Sequence, residues 1–412
     1  MTDAPLGDWP LGRFYVTNET SNGLLDVSLI ERPLVGATIA DGALAGPAAE
    51  VTTHAVLVSS GPDGSLIGVP VPPLGASGDD LRFDPATGGI RARENRRAAG
   101  AFNAQVQAAN AFGMVNAFVH TERAAGVFNG LLADLGAAPL PRVRVVVGAH
   151  FGSKLPGYAQ GDGDRWSSSL RPLSGGHYRV SQRTTGVAEP FEVWPTGEIH
   201  LGPSRYRKPF AESLAYLRNA AHNPAIIYHE FGHHLCRHTA DFRLNAEREP
   251  AEQRNGKPAI EEAMCDYFAA ALLDTGRPYG WYRADRGARR DPGVLRHAAD
   301  VSGDDPHAHG APWAAALWRS RQELVGRGLL RTPMDHDRAV VDALVRVGKA
   351  YVPDHGGSRA ARERRRTRPR TFARELRRAL REAGGADAGR TATRIFEAQG
   401  LLEPRGRKSV SC

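Results

Sequence analysis

The spacing of apolar residues changes along the chain, and the changes mark out its elements. Over the first 95 residues, apolar positions come in short runs such as Phe14–Thr17 and Ala55–Val58. Asn-Gly, Pro-Asp-Gly and Val-Pro-Pro turns break these runs. Such punctuation predicts short strands, and the segment reads as an N-terminal β-rich accessory domain without chemistry of its own. From residue 96 the period becomes helical: Phe102, Val106, Ala109, Phe112, Val115 and Phe118 recur three or four apart, predicting a long helix that ends near Gly136. Val143–Val147 reads as a buried strand. His177–Ser181 and Glu198–Leu201 are further strands between loops rich in Gly, Ser and Asp. Asn223-Pro224 has the form of a helix start, with Asn as cap and Pro at the first helical position, for a helix running to about Arg237. Pro258 opens a second helix and Gly276 closes it. Helical patterns dominate from Pro312 to about residue 402, interrupted over 354–370.

Composition narrows the class. The 412 residues exceed one core of ordinary size, so two or three domains or lobes are expected. A content of 41% hydrophobic and 24% charged residues is that of a globular chain, and no apolar run is long enough to span a membrane. Met1–Thr20 lacks the apolar core of a secretory leader, and an odd set of three cysteines makes no disulfide framework. A cytoplasmic location is the default expectation, with secretion by another route left open. The net charge of +8 owes much to 358–370, which holds seven arginines and no aromatic residue. That stretch reads as a solvated loop, so no nucleic-acid partner is expected.

The chemistry concentrates in two segments. Ile226–His234 contains His229-Glu230-x-x-His233. Residues four apart share one helical face, so both imidazoles can reach one metal ion, and nitrogen ligands suit zinc. Glu230 follows the first His and can stand beside the metal as a general base without binding it. Ala259–Phe268 offers the third ligand that a catalytic zinc needs. Glu262 is that ligand, and Asp266, one turn on, is the carboxylate to which a metal-bound His would give its other ring proton. Glu261 competes as a ligand but points about 100° away around the helix. Cys236 and Cys265 each lie three residues beyond a candidate ligand and are read as small packing residues. His234 and His238 fall on other faces of the helix, and His120 and His177 are read as structural.

These two segments resemble the gluzincin metallopeptidases of the thermolysin and fungalysin kind, which carry HExxH on one helix and an Asn-Glu-x-x-Ser-Asp-like segment on the next. A third segment, Asp305–Trp318, is similar to the fungalysin pattern His-x-x-Gly-x-x-Trp-Ala followed by Leu-Trp. The resemblance implies that His307 stabilises the oxyanion, with His309 as the alternative, and that Arg296, after Leu295, orients the site. It implies an α+β, two-lobed zincin fold. A mixed sheet and the HExxH helix would form an upper lobe over about 96–240, and a mostly helical lower lobe would follow over 241–412. It further implies a zinc-dependent endopeptidase whose peptide or protein substrate lies extended in a cleft, adding to a strand near Glu198–Leu201. The chain also departs from the family. No Tyr lies between Asp241 and Ala259, where a second oxyanion donor would stand. Ala225 and Leu273 replace acids of the calcium site, so no calcium is expected. The missing Tyr motivates the alternative of a zinc-binding protein with degraded catalysis, acting as a binding module.

Overall fold

The computed structural model describes residues 9–16, 29–60, 66–71, 74, 79–82, 99–152, 170–173, 175–180, 194–203, 219–245, 248, 253–254, 256–279, 290–349 and 369–402. Among them the protein is mixed α+β, with six helices and a mixed sheet. The strands are β1 (Leu11–Tyr15), β2 (Leu29–Pro33), β3 (Thr38–Ala40), β4 (Ala43–Ala45), β5 (Ala49–Thr53), β6 (Val56–Ser60), β7 (Leu66–Pro70), β8 (Val143–Val147), β9 (His150–Gly152), β10 (Leu170–Pro172), β11 (Gly176–Arg179) and β12 (Glu198–Leu201). The helices are α1 (Ala99–Asp134), α2 (Pro224–His238), α3 (Ala259–Leu273), α4 (Pro306–Gly326), α5 (Pro333–Lys349) and α6 (Pro369–Ala398). None is long and apolar enough to cross a membrane. The expected strands at 143–147 and 198–201 form as read, and the arginine-rich stretch 358–370 lies outside the described residues except for its last two, which open α6.

The chain forms two compact units. The first comprises Met1–Ala125, Pro141–Phe231 and Pro250–Asn255. Its main sheet has the order β11-β12-β8-β5-β4-β3, in which β12, β8 and β5 run parallel and the others antiparallel. Two expectations change here. Part of the N-terminal segment does not stand apart: β3, β4 and β5 belong to this sheet, and Val51 of β5 pairs with Val145 of β8. Both valines are fully buried, so the N-terminal strands complete a core they cannot leave without exposing it. Nor can β12 accept an added strand, because its ladder is filled by β11 on one side and β8 on the other.

The α1 helix begins at Ala99 and is buried nearly all round over 109–120, which its apolar periodicity understated. Its polar groups there are satisfied in pairs. Asn116 accepts from the Tyr15 N–H and donates to the Ala221 carbonyl, and His120 bridges the Tyr228 hydroxyl and the Tyr15 carbonyl at 2.7 and 2.9 Å. His120 is thus structural, as read.

The second unit comprises Gly126–Leu140, Gly232–Glu249 and Gly256–Cys412, and its described residues are helical apart from connections. Here α4 packs along α3, and α5 and α6 pack together. Helix ends depart from expectation in two places. The α3 helix stops at Leu273 on a left-handed Asp274 (φ 50°), not on Gly276, because its backbone N–H already closes onto Ala270 and Ala271. The α4 helix starts at Pro306, before Pro312, because Asp305 caps it by accepting from the His307 N–H at 3.0 Å. His307 therefore stands in the first turn of a helix.

Burial gives the fold a pH dependence. His120, His200 and His336 are buried, and burial first of all pulls each down from 6.5 to about 3. A depressed folded-state pKa contributes stability that is present above pH 6.5 and lost as pH falls toward 3, because only the unfolded chain takes up the protons. The melting temperature is expected to fall steadily between pH 6.5 and 4. A flat profile over that window would contradict neutral, buried histidines.

Candidate metal centre

The α2 helix begins as its sequence implies: the Asn223 side chain accepts from the Ala225 and Ile226 N–H groups at 3.0 and 3.4 Å, with Pro224 first in the helix. The helix is unbroken to His238, so His229 and His233 lie one turn apart, about 6 Å along its axis. Its apolar residues Ile227, Phe231 and Leu235 are buried, as are His229, Glu230 and His233 themselves. Gly232 permits a close approach to α3: a Cβ there would lie 2.9 Å from Cys265 Cα. That approach brings His233 to the acidic first turn of α3.

Three buried carboxylates, Glu261, Glu262 and Asp266, sit within six residues of α3, and burying charge in this way requires partners. Glu261 Oε1 accepts from Arg243 Nη2 and meets His233 Nδ1, both at 2.9 Å. Burial would raise this carboxyl, but the Arg243 and His233 beside it hold it below its ordinary value. Asp266 accepts from the Tyr279 hydroxyl at 2.9 Å and from Arg290 Nη2 at 2.6 Å. Glu262 is met by imidazoles: its Oε2 lies 3.5 Å from His233 Nε2 and 2.8 Å from His307 Nδ1.

These distances sort the histidines. Two ligands on one tetrahedral ion at about 2.0–2.2 Å each stand roughly 3.3–3.6 Å apart. The 3.5 Å between His233 and Glu262 fits ligands of a shared ion. His307 Nδ1 stands 2.8 Å from the same Glu262 oxygen, closer than two ligands of one tetrahedral ion stand. Buried His, Glu and Cys groups here could hold a metal ion. Within the second unit those groups are His233, Glu262 and Cys265. Cys265 is hydrogen-bonded to Cys236, and burial raises both thiols.

The structure thus brings His233, Glu262 and His307 together and carries His229 and Glu230 on the same helix as His233. For His233 the supporting carboxylate is Glu261 rather than Asp266. Sequence reasoning placed Glu261 off the metal face, and it therefore touches the far side of the imidazole. Arg243 was missed altogether, since a loop residue carries no periodic signal. Arg296 lies in the segment before α4, where its charge lowers the Asp291 carboxyl, which burial raises to about 6. His309 turns its Nε2 to the Gly303 carbonyl at 2.6 Å. No family model matches the chain, and no curated protein matches it in sequence.

Proposed function

We propose that the chain is a zinc-dependent endopeptidase of the gluzincin kind, with zinc held by His229, His233 and Glu262. The observation that carries this reading is the buried convergence of His233 Nε2 and Glu262 Oε2 at the separation of ligands on one ion, built on a helix that also carries His229 and Glu230. Two nitrogens, one carboxylate oxygen and an open position are the donor set of a catalytic zinc rather than of a structural one. A bound zinc ion supplies Lewis acidity, bringing a water to ionise near about pH 7 and polarising a carbonyl. Glu230 takes the proton of the attacking water and delivers it to the leaving amine. His307, whose side chain is 34% exposed and whose Nδ1 lies 2.8 Å from Glu262 Oε2, presents its ring to the substrate carbonyl oxygen. The two-lobed arrangement of the family belongs to the same proposal.

Local packing supports Glu230 as the base. The start of β11 presses on it: a Cβ on Gly176 would lie 2.6 Å from Glu230 Cγ, 2.7 Å from its Oε1 and 2.8 Å from Ile226 Cγ2. At that end of the sheet β11 is the outermost described strand, so an extended peptide would add there and not at β12. Gly176→Ala is expected to displace the carboxylate and lower kcat/KM by roughly 10- to 100-fold, with zinc content unchanged. Unchanged kcat/KM would remove Glu230 from the reaction.

The absence of a Tyr between Asp241 and Ala259 favours a second reading, a zinc-binding protein without turnover. Cleavage of an unstructured protein substrate separates the two. The endopeptidase reading expects cleavage by the zinc-loaded chain, loss with a chelator and return with zinc. Stoichiometric zinc without cleavage would leave the binding protein.

A further inference from the structure

The far side of the candidate centre is built with unusual care. His233 Nδ1 lies 2.9 Å from Glu261 Oε1, and the same oxygen accepts from Arg243 Nη2 at 2.9 Å. All three side chains are buried, with His233 0%, Glu261 1% and Arg243 5% exposed. That oxygen already accepts from the Arg243 guanidinium and is the acceptor here too, so the proton of this hydrogen bond sits on His233 Nδ1. Its Nε2 is then a lone pair, and that is the nitrogen facing Glu262.

Arg243 is delivered by the tight loop that follows α2. Asp241 (φ 40°) and Leu244 (φ 55°) are both left-handed, a conformation that residues with a Cβ disfavour. The loop is closed by the Asp241 N–H on the Cys236 carbonyl at 2.7 Å, the Leu244 N–H on the Asp241 carbonyl at 2.8 Å, and the Asn245 N–H on Asp241 Oδ1 at 2.9 Å. Phe242 and Leu244, on either side of Arg243, are buried. A surface loop has no need of this construction. It turns one guanidinium back onto one carboxylate in the interior.

We infer that Glu261 and Arg243 are positioning residues that lock His233 in its Nδ1–H form and raise the metal affinity of the centre. The inference rests on the metal reading above. Glu261 makes the imidazole a stronger donor, and Arg243 holds Glu261 in its orientation, so that the carboxylate does not swing round to become a ligand itself. The plainer role, a staple between the loop and α3, would stabilise the fold and leave the metal indifferent.

Two measurements on the full-length chain decide between them. Glu261→Gln alone strands a buried guanidinium, so it is made together with Arg243→Met, which removes both charges. Zinc competition against a chromophoric chelator is expected to show the double variant binding zinc about 10- to 100-fold more weakly than wild type. Zinc affinity equal to wild type would overturn the inference and leave a staple. Histidine ¹⁵N correlations on the metal-free wild type give a second readout, independent of whether the variant folds. They should report His233 as Nδ1–H, and an Nε2–H form would overturn the inference. A wild type that binds no zinc at all would instead defeat the metal reading, and this inference with it.

Discussion

Glu230→Gln is expected to keep its zinc and to lose turnover by roughly 100- to 10,000-fold, the range that a positioned proton-transfer group contributes. The substitution is nearly isosteric, so the close contact with Gly176 and the packing of Ile226 survive it. It removes only the capacity to take and return a proton. Glu230 is buried, and an amide costs less to bury than an ionised carboxylate, so the variant should be at least as stable as wild type. The informative comparison is kcat/KM beside zinc stoichiometry in the same samples. A variant with full activity and full zinc would remove the general base and the proposed mechanism with it.

His233→Ala is expected to have the other large effect, on the metal itself. Losing a ligand should weaken zinc binding by more than the roughly 100-fold that follows loss of an outer partner. The cavity left by a fully buried imidazole also destabilises the fold, so a control is needed. His336 supplies it: it is equally buried, between the Tyr267 hydroxyl and Ser320 Oγ, and belongs to no metal-capable set among the described residues. His336→Ala should be destabilised and bind zinc as wild type does, while His233→Ala should bind it far more weakly. Equal zinc affinity in the two variants, measured by chelator competition, would show that His233 is a core histidine.

Most of the local structure around the centre was legible in the sequence, for physical reasons that can be named. Asn223-Pro224 caps a helix whatever surrounds it, and HExxH then sets two imidazoles on one face. The apolar run at 143–147 forms its strand because parallel neighbours cover both sides. What stayed hidden depends on long-range partners. Nothing local in Ala49–Thr53 says that it pairs with a strand some ninety residues later, so the N-terminal segment read as separate. The same limit placed β12 at a sheet edge, though β11 covers it. Within the centre, helix geometry separated Glu261 from Glu262 but not their tasks. The partner of Glu261, Arg243, arrives from a loop whose left-handed residues, Asp241 and Leu244, have no sequence signature. His307 was identified from a motif, and its place in the first turn of α4 follows from the Asp305 cap, which the emphasis on Pro312 had obscured.

The central claim is tested most directly by counting new amino termini released from an unstructured protein by the zinc-loaded chain, with Glu230→Gln run alongside. The account predicts release by wild type, none above background by the variant, and stoichiometric zinc in both. Equal release by the two, or none from a fully zinc-loaded wild type, would contradict it.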